Sequence, residues 1–208
     1  MANMDSALVL FGQSLLIGLS IAAPVGQIGV LAIQRTLQFG PAAGIATGMG
    51  AAVADALYGA IGAFGVTVLI RWLVDHKAAF ATVGSLVLLW MAWRIASQPP
   101  AAPRAGGPRA ALPRLFAGTF VLTLSNPTTI LSFIAVFGAI AGRTAVASPW
   151  VMIAGVFVGS ALWWLLLAGT VGRLRTRFDA RWQHRVNLAS AALLAGFALW
   201  QLTHLLPA

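Results

Sequence analysis

One acidic residue, Asp55, lies inside a long apolar stretch of this sequence, GIATGMGAAVADALYGAIGAFG. A charged carboxylate at mid-bilayer costs about 2.5–3.5 kcal/mol, so such a residue usually faces protein or water and serves a pathway. Gly44, Gly48 and Ala52 precede it at helical spacing, and a stripe of small residues lets another helix approach closely. Asp55 is therefore predicted to point into a helix bundle. There it binds a cationic solute group or a proton, or it caps a gap in the backbone hydrogen bonding.

A second group of residues interrupts the first apolar run of the chain, where Pro24, Gly26 and Gln27 stand within GLSIAAPVGQIGVLAIQ. Proline removes a backbone donor and glycine permits unwinding, so a helix is expected to break here. In lipid, broken backbone is tolerated only where it is buried in protein or lines a wet cavity. These three residues are candidates for a binding site.

A matching interruption occurs one half-chain later, at Asn126, Pro127 and Thr128, flanked by Ser125 and Thr129. Two interrupted spans at corresponding positions of two halves point to a transporter site. The Asn126 amide, together with the Gln27 amide and the positive end of a half-helix, is suited to binding a carboxylate. The alternative is that the hydroxyls of Ser125, Thr128 and Thr129 only satisfy carbonyls freed by the proline.

Two adjacent tryptophans, Trp163 and Trp164, lie in the interior of a later apolar run. Either of them can face lipid while the other walls a pocket, and Trp164 is the candidate for the pocket. An intramembrane enzyme is disfavoured, because acid–base or nucleophilic catalysis generally needs two titratable groups, or a nucleophile and a base, within reach. Ser160 is the one nearby nucleophile. No cysteine occurs and the histidines are scattered, so no metal or cofactor site is predicted.

The composition is that of an integral membrane protein. The 208 residues are 60% hydrophobic and 8% charged, whereas soluble domains carry about 25% charged residues. The net charge is +9, but the basic residues lie in short segments between apolar runs. This distribution favours cytoplasmic loops facing anionic lipid headgroups over a nucleic-acid surface.

Apolar runs of about 20 residues, the length of a membrane crossing, divide the chain into six predicted spans. They are Ala7–Ile33, Pro41–Ile70, Ala78–Ala96, Leu115–Ala141, Trp150–Val171 and Val186–Leu206. Ten of the thirteen basic residues, Arg35 among them, fall in the first, third and fifth loops. Those loops are predicted to be cytoplasmic, with both termini outside.

The third loop is rich in proline, glycine and arginine and divides the protein into two triplets of spans. Residues 1–97 form the first three-helix repeat, 98–114 a flexible cytoplasmic linker, and 115–208 the second repeat. Because three is odd, the second triplet enters the membrane inverted, which predicts an all-α 3+3 inverted repeat with interrupted helices 1 and 4. Setting Gly50 over Gly159 aligns GAAVAD with GSALWW. Chance alignment of Gly- and Ala-rich helices remains the alternative.

Several motifs together resemble those of the LysE-type translocators, small six-span amino-acid exporters of bacteria. They are APVG with IGVLAIQRTL, then GMGAAVADALYGAIGAFG, SNPTTILSF and VGSALWWLLLAG. By position, Pro24 and Gly26 match the family's first-span motif, Asp55 its acidic second-span position, and Asn126 with Pro127 its fourth-span motif. Two departures fall at the same site, where Gln27 replaces a common second proline and Thr128 replaces a frequent lysine.

This resemblance implies a secondary transporter that exports amino acids or related small metabolites across the bacterial cytoplasmic membrane, coupled to protons. The alternative from another class is a cation-efflux pore or channel on the same scaffold. The expected partners are a small solute, the lipid bilayer and a proton as coupling ion, with no nucleic acid. The identity of the solute and the formation of a homodimer stay open at this point.

Overall fold

The computed structural model of the chain describes residues 2–24, 26–64, 72, 75–97, 111–140, 148–175 and 180–203. In these ranges every regular element is an α-helix, and there are eight of them. In chain order they are α1 (Ala2–Ala22), α2 (Gln27–Phe39), α3 (Pro41–Ala63), α4 (Lys77–Ala96), α5 (Leu112–Leu124), α6 (Pro127–Ile140), α7 (Pro149–Leu174) and α8 (Ala180–Thr203).

Four of these helices are long and apolar enough to cross a membrane by length and composition. They are α3, α7, the Ala78–Ala96 part of α4 and the His184–Thr203 part of α8. Helices α1 and α2 form a fifth candidate as one broken span with a bend of 78°, and α5 is a shorter apolar helix. The described residues thus contain four or five candidate spans, and the six-span inverted repeat remains a prediction. Most of the predicted linker, 98–110, lies outside the described residues.

The first predicted break is confirmed between α1 and α2. The last backbone bond of α1 runs from Ala23 N to Leu19 O at 2.9 Å, and the first bond of α2 runs from Val30 N to Gly26 O at 3.0 Å. Pro24 lies between them and has no N–H to continue the ladder. The peptide groups at the start of α2 are therefore released from helical pairing.

The second predicted break is confirmed between α5 and α6. α5 ends at Leu124 and α6 begins at Pro127, because the proline cannot donate to the carbonyl four residues before it. Asn126 N donates instead to Thr123 O at 3.1 Å, and the ladder resumes from Ile130 N to Asn126 O at 3.1 Å. Both interruptions lie between helices that pack against the rest of the bundle.

Helix α7 lies at the centre of the packing, because it runs along both α1 and α3. Helix α3 also packs on α5, and α4 pairs with α8. The predicted small-residue stripe of α3 faces α7 at Gly48, where an added Cβ would overlap the Trp164 side chain. At Gly44 it lies between α2 and α7, because an added Cβ would overlap the Thr36 side chain and contact Ala168. The stripe brings α3 close enough to α7 for side chains of the two helices to share hydrogen bonds.

The position of Arg35 differs from the prediction that it lies in the first cytoplasmic loop. The helix α2 does not stop before this residue but continues to Phe39 and ends at Gly40, whose φ of 96° favours glycine. Arg35 is 8% exposed, and its guanidinium donates to the Thr47 hydroxyl at 3.1 Å and the Thr119 hydroxyl at 2.8 Å. The prediction that Arg35 is a headgroup-facing loop residue is therefore wrong, since it ties α2 to α3 and α5.

Arg175, assigned from the sequence to the fifth loop, also has a partner inside the protein. Its Nε donates to Leu37 O at 2.8 Å and its Nη2 to Gln38 O at 3.3 Å. A cation at the carboxyl end of a helix pairs with the unsatisfied carbonyls there. The end of α7 thereby holds the end of α2.

Candidate solute-binding site

A cavity of about 210 Å³ lies where the two breaks meet α3 and α7. It is smaller than the about 300–1,000 Å³ typical of drug-sized sites, so it suits a small metabolite. Its lining comes from the first break and both flanking helices, from α3, from the second break and from α7. The lining residues are Ile21, Ala22, Pro24, Gly26, Ile28, Gly29, Ala51, Asp55, Thr123, Asn126, Thr128, Thr129, Ser132 and Trp164.

Most of the residues singled out from the sequence meet at this cavity. Six of the eight candidate site residues line it, namely Pro24, Gly26, Asp55, Asn126, Thr128 and Trp164, and the flanking Thr129 lines it too. Gln27 and Pro127 do not belong to the lining. Gln27 is buried at the first position of α2, whereas its neighbours Gly26 and Ile28 line the cavity.

Asp55 supplies the negative charge of this cavity. Its side chain is 3% exposed, and the Ser160 hydroxyl donates to its Oδ2 at 2.7 Å. Trp164 Nε1 donates in turn to Ser160 Oγ at 3.2 Å. Within the described ranges the bond from Ser160 is the one hydrogen bond to Asp55, so its Oδ1 remains available to a donor in the cavity.

The environment of Asp55 distinguishes between the two expectations for it. Its hydrogen bond comes from a side chain of α7 and not from a backbone group at either break. Within the described residues no arginine or lysine forms an ion pair with it. Within the described residues Asp55 thus pairs with a side chain and not with a freed backbone group, and it lines the cavity.

Asn126 acts on the backbone at the second break by accepting from an N–H group, and not by satisfying a freed carbonyl. Its Oδ1 accepts a hydrogen bond from Thr128 N at 3.1 Å, which makes it the N-cap of α6. Its Nδ2 donates to Thr129 Oγ1 at 2.9 Å. Both ends of the amide therefore have partners, and the side chain fixes the shape of the cavity wall.

Tyr58 completes the backbone pairing at the second break, and the sequence reasoning missed it. Because Thr128 N is bonded to the Asn126 side chain, Leu124 O lacks its helical donor, and Tyr58 OH donates to it at 2.6 Å. One signal was available: Tyr58 is the single tyrosine of the chain and lies three residues after Asp55. Ser160 was also missed as the partner of Asp55, although its spacing of four from Trp164 places both on one face of α7.

Replacing Tyr58 by Phe should lower the free energy of unfolding by about 1 kcal/mol, since hydrogen bonds between membrane helices contribute about 0.6–1.7 kcal/mol. The stacking of this ring on Phe133, with centroids 5.5 Å apart, is kept in the variant. The loss is therefore that of the bond to Leu124 O. Unfolding in mixed micelles with increasing denaturing detergent measures it, and an unchanged midpoint for Tyr58→Phe would contradict the assigned role.

The amino end of α2 gives the cavity a positive side, opposite in sign to the negative charge of Asp55. Its N-cap Gly26 has no side chain to accept from the free N–H groups, and the first helical bond is the one from Val30. Gly26, Ile28 and Gly29 all line the cavity. The positive end of a half-helix thus faces the same space as the Asp55 carboxylate.

A second cavity of about 470 Å³ adjoins the first between α1 and α6. The two share Ile21, Pro24 and Ser132 in their linings. Beyond these residues the second cavity is lined by Leu16, Ile17, Ser20 and Val136. It extends from the first break along α1 toward the amino-terminal part of that helix.

Comparison with known proteins agrees with this architecture. Residues 19–204 match the family model described as LysE type translocator. The chain is 30% identical over 175 residues to the uncharacterized membrane protein YahN of Escherichia coli K12, covering 80% of this chain and 77% of that protein. It is 26% identical over 172 residues to the putative amino acid efflux protein YcgF of Bacillus subtilis 168, covering 80% and 82%.

A third relative is the chemotactic transduction protein ChpE of Pseudomonas aeruginosa, which is 26% identical over 203 residues, 92% of this chain and 98% of that protein. No solved structure matches the chain. The family match covers most of the sequence and includes both breaks and Asp55. This chain is a multi-pass membrane protein that belongs to the LysE type translocator family.

Proposed function

We propose that this protein exports an amino acid or a closely related small metabolite across the cytoplasmic membrane, driven by the proton gradient. The observation that carries the proposal is a single cavity that joins the buried carboxylate of Asp55 to the unpaired amino end of α2. The name of the relative YcgF, a putative amino acid efflux protein, supports the same class of solute.

A zwitterion matches the two polarities of the cavity. The ammonium group of an amino acid binds Asp55 Oδ1, and its carboxylate binds the N–H groups at the start of α2. The cavity volume favours a small side chain. When the solute leaves, a proton takes its place on Asp55, which couples export to proton entry and avoids a bare charge in the membrane.

The two triplets of spans work as an inverted repeat in this proposal, with α5 and α6 together forming the fourth span. The packing supports a symmetric arrangement of the two triplets. The first span contacts the fifth, as α1 packs on α7, and the fourth span contacts the second, as α5 packs on α3. Rocking of one triplet against the other then exposes the cavity to each side in turn. The arginine-rich loops face the cytoplasm and both termini lie outside.

Efflux from proteoliposomes tests this function. Vesicles containing the purified protein are loaded with labelled amino acids, one at a time, and efflux is followed with and without an external medium more acidic than the lumen. We expect saturable efflux of at least one amino acid, accelerated by the proton gradient and by exchange with unlabelled solute outside. A failure of every amino acid to move would overturn the proposal, whereas non-saturable cation conductance would support the pore.

A further inference from the structure

No described residue forms a hydrogen bond with the hydroxyl of Thr123. The side chain is 2% exposed, it lines the cavity, and its Oγ1 is buried without a hydrogen-bond partner. Other buried threonines of the chain behave differently: Thr36, Thr47 and Thr119 each donate to the carbonyl four residues before them. A buried hydroxyl that forgoes this local bond is one that a ligand can complete.

The register of α3 against α5 places Thr123 at the level of Asp55, and both residues line the same cavity. Gly50 lies against the backbone of Phe116 and Phe120, and Tyr58 bonds Leu124 O. Residue numbers therefore increase in the same direction along α3 and α5, so the two helices are parallel. Asp55 lies between the two contact points on α3, and Thr123 directly precedes Leu124 on α5, so the two side chains lie at about the same level.

We infer that the Thr123 hydroxyl and the Asp55 carboxylate together bind the ammonium group of the exported solute. An ammonium group has three N–H donors. Asp55 Oδ1 accepts one of them and Thr123 Oγ1 accepts a second, while Ser160 holds the other carboxylate oxygen. Thr123 is thus a specificity-determining residue that selects amines with at least two N–H groups over N,N-dimethylated and trimethylated ones. The inference rests on the proposed function and adds a residue and a selection rule to it.

Two variants at position 123 separate the contribution of the hydroxyl from that of the side-chain shape, and a third variant elsewhere is the control. Thr123→Val removes the hydroxyl and keeps the volume, and Thr123→Ser keeps the hydroxyl. Thr82→Val is the matched control on α4, because Thr82 is exposed and its hydroxyl bonds Ala78 O in its own helix. The probes are the amino acid with the fastest efflux in the proteoliposome screen and its N,N-dimethyl and N,N,N-trimethyl derivatives.

Wild-type protein should prefer the primary amine over the trimethyl derivative, and Thr123→Val should raise the apparent KM for the primary amine about tenfold, the loss expected for one hydrogen bond to a charged group. The same variant should reduce the preference over the N,N-dimethyl derivative, which has one N–H group for Asp55 and none for Thr123. A purely structural defect does not move this ratio. Thr123→Ser and Thr82→Val should resemble wild type.

An unchanged KM and an unchanged preference in folded Thr123→Val would overturn the inference and leave the proposed function intact. If Thr123→Val does not fold, wild-type efflux of the trimethyl derivative at the rate of the primary amine would overturn the inference instead. An absence of efflux of any amino acid by the wild type would overturn the proposed function, and the inference with it.

Discussion

Amino-acid efflux should fall by about ten- to a hundredfold when Asp55 is replaced by Asn, because a hydrogen bond to a charged group contributes about 1.5–3 kcal/mol. The amide has nearly the shape of the carboxylate and still accepts from Ser160, so the local packing is kept. What the variant lacks is the negative charge for the solute's ammonium group and the site for a proton. The initial rate of efflux from proteoliposomes, at matched protein content, measures the effect.

Two features of the Asp55→Asn result identify its cause. The residual efflux should no longer respond to an external acidic medium, since no carboxylate remains to carry the proton. The matched control is Asp75→Asn, because Asp75 is exposed and lies outside the cavity. Wild-type rates and wild-type stimulation by the pH gradient in Asp55→Asn would refute the assigned role of this carboxylate.

Gly159→Ala should destabilise the protein by about 3 kcal/mol, the upper part of the range for overpacking. A Cβ at this position would overlap the carbonyl oxygen of Leu15, and one at Gly18 would overlap that of Val156 in the same way. The two helices touch backbone to backbone, so no side chain can rotate to make room. The temperature at which half the protein leaves the monodisperse peak in detergent measures the loss.

Gly169→Ala is the matched control in the same helix, because an added Cβ at Gly169 meets nothing within 4 Å. An alanine in place of a helical glycine stabilises by about 0.5–1 kcal/mol where space permits. The two substitutions should therefore act in opposite directions. Equal stability of the Gly159→Ala and Gly169→Ala variants would mean that α1 and α7 do not cross as closely as described.

The breaks and the buried acid were predictable because each depends on local chemistry. Proline removes a donor wherever it stands, so the interruptions at Pro24 and Pro127 follow from the residue itself. Asp55 is conspicuous because a carboxylate is costly within an apolar run. These features also carry the resemblance to the family, and they meet at one cavity.

The partners of these residues were not predictable, because they depend on which helices lie side by side. Ser160 is 105 residues from Asp55, and Tyr58 is 66 residues from Leu124, so no local pattern joins them. Arg35 was assigned to a loop because a charged residue was taken to mark the end of an apolar span. Its acceptors, Thr47 and Thr119, come from two other helices.

Ser132 offers the most direct test of the central claim, which is that the breaks enclose a hydrated solute cavity beside Asp55. This residue lines both cavities, and the chain contains no cysteine, so Ser132→Cys introduces a single thiol. A positively charged, water-soluble methanethiosulfonate reagent reports whether water reaches it, because the reaction requires an ionised thiol. Ser85→Cys is the control, since Ser85 is fully buried and outside the cavity.

In membranes, the Ser132→Cys variant should react at least about tenfold faster than Ser85→Cys, as expected for a thiol in water compared with a buried one. The exported amino acid should slow the reaction of Ser132→Cys and leave that of Ser85→Cys unchanged. Equal rates for the two variants, or a rate at Ser132→Cys that the solute does not change, would contradict the account.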